Sequence, residues 1–179
     1  MKKWLAFVLS YIILALLHEG GHLVFALLFN EYQALQFNMP LLGPEVTYRT
    51  PVDERVGVHW AVIAGASSIL TLSLGYLLLL LAKRVARVQA RFPRAVLYYL
   101  TFLALLVDAF NLSIGASIYG GDAEGIAVGL AVPRYWVQIV FVLVLFINRE
   151  LIAQKLLPIY GVRTNHFLLR PWLYRVKPA

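Results

Sequence analysis

The sequence predicts an all-α membrane protein with about four transmembrane helices and a membrane-associated β-hairpin between the first two. Three observations lead there. Hydrophobic residues make up 61% of the chain, against about half in a soluble domain, and the mean hydropathy is +0.75. Four apolar runs, at about 4–29, 58–82, 95–117 and 135–157, are the length needed to cross a ~30 Å hydrocarbon core, the last if it continues through Asn148, Arg149 and Glu150 at the interface. The Lys and Arg residues behind the formal charge of +7 fall in short segments between these runs. That is a membrane-topology pattern and not a surface for nucleic acid. Residues 1–179 read as one membrane domain.

The first run begins like a signal peptide, with Met1-Lys2-Lys3 ahead of apolar residues. It continues past the usual ~7–15 residues and no A-x-A-like site closes it, so it reads as a retained helix. Its interior holds His18-Glu19-Gly20-Gly21-His22. On a helix, two histidines four positions apart stack on one face and can reach one metal ion. Glu19 then stands where it can take a proton from a water that the ion has made acidic. The chain has no cysteine, so zinc would be held by His and carboxylate alone, with one coordination position left for water. The alternative is a pair of helix histidines hydrogen-bonded to their neighbours. Ionisable groups at bilayer depth are rare and usually functional, which favours the metal. Gly20 and Gly21 leave space beside the histidines for a substrate backbone or a closely packed helix.

Residues 30–57 form the longest polar stretch between runs. Tyr32 to Met39 alternates, Pro40-Leu41-Leu42-Gly43-Pro44 interrupts, and Glu45 to Thr50 alternates again. This reads as a hairpin with a wide turn, or as a connecting loop that alternates. A hairpin would offer a strand edge to an extended peptide. The second run carries the small-residue patch Ala64-Gly65-Ala66-Ser67-Ser68, which lets helix backbones approach. His59 and Trp60 at its entrance read as an interfacial anchor.

Lys83, Arg84, Arg87, Arg91 and Arg94 follow with no acidic residue among them, a cytoplasmic marker. The third run contains Asp108 and Asn111, then loosens through Gly115, Gly120 and Gly121 into Asp122. Residues 126–132 are apolar and read as a segment dipping back to the membrane surface. The tail is basic and aromatic, with Arg163, Arg170, Arg175 and Lys177, and suits an anionic inner leaflet. Residues 30–57 and 118–134 are acidic on balance, so four spans with both termini in the cytoplasm satisfy every segment. The expected setting is a prokaryotic cell membrane.

The first and third runs cross in the same direction, which brings Asp122 or Asp108 within reach of His18 and His22. Either carboxylate is an ordinary third zinc ligand. Depth counting favours Asp108, which lies about as far into its run as His18 does. The glycines before Asp122 allow the chain to leave the helix and fold back, and Asp108 would then accept the outer N–H of a ligand histidine.

With these residues in view, the sequence resembles the site-2 proteases, intramembrane zinc metalloproteases that cut transmembrane or membrane-proximal segments. His18-Glu19-Gly20-Gly21-His22 fits the family's H-E-x-x-H. Gly65 and its neighbours sit where the family has a G-P-x-x-N-like segment. Asn111-Leu112 followed by Gly121-Asp122 is similar to its third motif, an Asn-containing stretch leading to a metal-binding Asp. The resemblance covers residues 4–125. Ala66 stands in place of the second motif's Pro, its Asn is missing, and the spacing from Asn111 to Asp122 is longer than usual, so the likeness is to a minimal or divergent member. It implies peptide-bond hydrolysis in a transmembrane protein substrate. His18, His22 and Asp122 would hold zinc, Glu19 would act as general base, and Asn111 would contact the substrate or the developing oxyanion. Two other readings remain: a catalytically silent metal-binding partner, and a metal transporter or haem bundle, for which four histidines are few. Oligomeric state is open.

Overall fold

The computed structural model describes residues 2–38, 43–119 and 121–173. Met39 to Leu42 of the expected turn, Gly120, and Arg175 and Lys177 of the tail lie outside the described residues.

Among the described residues, four helices are long and apolar enough to cross a membrane: Lys3–Leu28, His59–Leu80, Arg91–Ile118 and Arg134–Ile159. They match the four apolar runs, with two differences of extent. The third helix starts at Arg91, inside the basic segment, because Pro93 falls in its first turn, where a missing N–H costs nothing. The fourth continues past Asn148, Arg149 and Glu150 to Ile159. These three residues are satisfied by the protein itself. The buried Asn148 donates to the Leu105 carbonyl (2.7 Å) and accepts from the Tyr76 hydroxyl (2.7 Å). Glu150 pairs with Arg149 and accepts from Gln154 (2.7 Å) and the Trp172 N–H (3.0 Å), which docks the tail on the helix. Both later helices carry a π-helical turn, Asn111–Gly115 in the third and Ile152–Leu156 in the fourth.

The hairpin forms between the first two helices. β1 (Tyr32–Asn38) pairs antiparallel with β2 (Gly43–Tyr48), with Leu35 opposite Val46 and Gln36 opposite Glu45. Burial does not follow the alternation of the two strands. Val46 is buried, whereas Leu35 and Phe37 on β1 are exposed.

The first and third helices lie side by side and parallel. Ser10 donates to the Val96 carbonyl (2.8 Å) and Leu14 packs with Leu100, Leu103 and Ala104. Continued one more turn, that register sets His18 beside Asp108. The second helix packs against both through small residues. A Cβ on Gly21 would stand 2.8 Å from Ser67 Oγ and 2.9 Å from its Cα, and one on Gly75 would meet Ala104 at 3.2 Å. The small-residue patch therefore acts in helix packing, with Gly21 as its partner. Gly20 differs: an added Cβ there meets nothing within 4 Å. Residues 121–130 form a short helix, Gly121–Leu130, packed on the second helix, with Gly125 against Ala64. The apolar segment expected at the membrane surface is thus largely part of the bundle. Trp60 is also buried, at 1% exposure, against Tyr48 and under the Arg55 guanidinium. The pair His59-Trp60 is not a free interfacial anchor, because the hairpin end supplies aromatic and cationic partners. Outward, Leu5, Leu16, Leu28, Leu80 and Leu143 are exposed, an apolar exterior compatible with a multi-pass membrane protein.

Candidate metal centre

Helical periodicity alone brings the two histidines together. Their rings meet edge to face with centroids 4.8 Å apart, and the two Nε2 atoms are separated by 3.1 Å. Asp122 arrives from the far end of the third helix. Its Oδ2 lies 3.2 Å from His18 Nε2 and its Oδ1 3.2 Å from His22 Nε2. Ligand atoms at ~2.0–2.1 Å from a tetrahedral zinc would stand about 3.3–3.4 Å apart, so these separations fit that ion closely.

A hydrogen bond on the outer side of His22 decides what that ring turns inward. His22 Nδ1 lies 2.9 Å from the Ile63 carbonyl, which can only accept, so the proton is assigned to Nδ1 and Nε2 keeps its lone pair. His18 Nδ1 lies 3.0 Å from Asp108 Oδ1. The approach is off the N–H axis, a close electrostatic contact that is not an aligned hydrogen bond. The other oxygen of Asp108 accepts from the Thr71 hydroxyl. With the proton of His18 also on Nδ1, two imidazole lone pairs and the Asp122 carboxylate converge with no donor between them. A cation satisfies all three at once.

Glu19 is a second carboxylate near the same point. It forms with His18 and His22 a group whose ligand atoms lie within 4.8 Å of one another. Asp122 sets one carboxylate oxygen at 3.2 Å from each Nε2 atom, Oδ2 at His18 and Oδ1 at His22. Glu19 is held differently, its Oε2 accepting the Val46 N–H at 2.9 Å. Asp108 touches His18 on the side away from this point.

Local backbone explains how Asp122 gets there. The π-helical turn ends at Gly115, and Gly121 adopts φ +51°, a conformation that favours glycine. Asp122 then opens the helix Gly121–Leu130, where unpaired N–H groups favour an anion. Asn111 starts the π-helical turn and lines the same cavity. Among the described residues, its side chain makes no hydrogen bond to the histidines or their carboxylates.

The cavity has a volume of about 1370 Å³, and its wall includes His18, Glu19, His22, Asp122, Tyr48 and Arg55. Burial, with the nearby charges of Asp122 and Glu19, pushes the Tyr48 phenol up, so it stays protonated and can donate. Burial lowers the Arg55 guanidinium, against the opposing influence of Tyr48, Glu31 and Asp122. Thr71, Tyr48 and Arg55 are functional candidates that sequence reasoning missed. Polarity within an apolar run could have drawn attention to Thr71; nothing local marks the other two. No family model matches the chain, nor does any curated protein or solved structure.

Proposed function

We propose that this chain is an intramembrane zinc metalloprotease that hydrolyses a peptide bond in or near a transmembrane segment of a protein substrate. The observation that carries the reading is the convergence of His18 Nε2, His22 Nε2 and the Asp122 carboxylate at 3.1–3.2 Å, with Glu19 beside them. His18, His22 and Asp122 would hold the ion. Zinc bound there would lower the pKa of water toward neutrality and polarise a carbonyl.

The remaining steps belong to the protein. Glu19 takes a proton from the water that attacks the carbonyl carbon and returns it to the amine as the C–N bond breaks, with Val46 N–H orienting its carboxylate through Oε2. Asn111, in the cavity wall, supplies a donor to the substrate carbonyl. A helical substrate must unwind first, because its carbonyls are engaged within the helix. The edge of β2 facing the site can receive the unwound segment, since Val46 directs its N–H toward Glu19 and away from β1.

The basic segment Lys83–Arg94 and the basic tail support both termini lying in the cytoplasm. The metal centre, late in the first helix, then lies nearer the outer leaflet. A second reading, a metal-binding partner that does not cleave, draws support from that same hydrogen bond, which engages Glu19. The test is Glu19→Gln with a co-expressed single-span substrate. Zinc content should stay at the parent level while cleavage falls by about 10²–10⁴-fold. Unchanged cleavage in a zinc-loaded variant would exclude Glu19 as the base. A parent chain that binds zinc and cleaves nothing would favour the silent partner.

A further inference from the structure

Arg55 occupies an unusual position in the cavity wall. Its Cζ lies 4.3 Å from the centre of the Trp60 ring and 4.9 Å from that of Tyr48. The two rings meet nearly at right angles, with centroids 5.5 Å apart and 81° between their planes, so the guanidinium sits in an aromatic corner. Its Nε–H donates to the Thr50 carbonyl at 3.3 Å, which fixes a third direction. Among the described residues, neither Nη group donates a hydrogen bond. Glu31 is near enough to stabilise the charge, but its carboxylate accepts from the Thr50 hydroxyl at 2.7 Å and faces His59 at 3.8 Å. The head group is therefore braced, half-buried and charged, with its fork of donors unused.

We propose that Arg55, held by Tyr48 and Trp60, forms an anion-binding subsite that takes a carboxylate of the bound peptide. A planar guanidinium matches a carboxylate through two parallel hydrogen bonds, and rings that immobilise it reduce the ordering cost of binding. The subsite adjoins the metal centre. His22 packs edge-on against Tyr48 with centroids 6.4 Å apart, and Tyr48 in turn supports Arg55. The carboxylate would therefore lie within a few residues of the bond that is cut, at ~3.3 Å per residue of extended chain. The carboxylate belongs either to an acidic side chain or to a free C-terminus. This inference rests on the cavity being a peptide site.

The experiment measures binding without turnover. The zinc-loaded full chain carrying Glu19→Gln, in lipid nanodiscs, is titrated with apolar single-span peptides. One set bears a single Asp moved stepwise along an amidated peptide, each paired with its Asn counterpart. The other has no acidic residue and ends in a free or an amidated C-terminus. Asp at one position should bind about tenfold tighter than Asn if the source is a side chain. The free C-terminus should show that preference if the source is a terminus. Adding Arg55→Gln should bring the ratio close to one while zinc content holds. Arg55→Lys, which keeps the charge over the rings but lacks the fork, guards against misfolding and should lose part of the preference. Equal binding of acid and amide peptides by the parent, or a ratio unchanged in both Arg55 variants, overturns the subsite. Hydrolysis is assayed separately with the unsubstituted chain. Its absence would count against the protease reading alone.

Discussion

Asp108 Oδ1 and His18 Nδ1 stand 3.0 Å apart on the side of the imidazole that faces away from His22. Asp122 meets the opposite nitrogen of the same ring at 3.2 Å. The two carboxylates thus hold one histidine from both sides, and their positions imply different losses on removal. Asp122→Ala should abolish high-affinity zinc binding. Asp108→Ala should weaken it by about 10–100-fold, as loss of an outer partner usually does. Zinc titration of the two variants measures this. If Asp108→Ala empties the site and Asp122→Ala leaves it intact, the assignment is reversed.

Thr71 acts one step further out, through its hydroxyl on the second oxygen of Asp108. Thr71→Val keeps the shape and removes the donor, leaving a buried carboxylate less well satisfied. Zinc affinity should drop by about tenfold or less, and Thr71→Ser should restore it. A Val variant with the parent's affinity would show that Asp108 needs no support from the second helix.

The two adjacent glycines of the first helix should respond in opposite directions. Gly21→Ala drives a methyl against the Ser67 backbone at 2.9 Å. It should destabilise the protein by about 1–3 kcal/mol, as overpacking does. Gly20→Ala meets open space and should be neutral, or stabilising by about 0.5–1 kcal/mol through the helix backbone. Thermal unfolding in detergent compares them. Equal effects would mean that the first two helices do not approach through Gly21.

Membrane orientation can be read chemically because the chain has no cysteine. Gln89→Cys places a single thiol in the basic segment between the second and third helices. In intact cells it should resist an impermeant maleimide and react after permeabilisation, since five basic residues in a short loop are costly to translocate. Labelling from outside in intact cells would invert the topology and move the metal centre toward the cytoplasmic face.

The sequence by itself determined where the helices run and which two histidines meet. Length and apolarity are local properties, so the four runs survive as helices with only their ends adjusted. His18 and His22 meet because four residues make about one helical turn, whatever surrounds them. Hairpin pairing was legible for a similar reason, as alternation has the period of a strand. Tertiary structure decided the rest. Asp122 and Asp108 are both plausible ligands by composition. Which of them faces the Nε2 atoms and which the outer side of His18 depends on a π-helical turn, on φ at Gly121 and on the parallel register of Ser10 with Val96. The Val46 hydrogen bond to Glu19, the Thr71 support of Asp108 and the aromatic corner around Arg55 likewise join groups on different elements. Asn148 and Glu150 read as interfacial because they are polar, and they are buried because Leu105, Tyr76 and Trp172 supply their partners. Such contacts arise when packed helices set distant backbone and side-chain atoms at hydrogen-bonding distance, and no local period in the sequence encodes that distance.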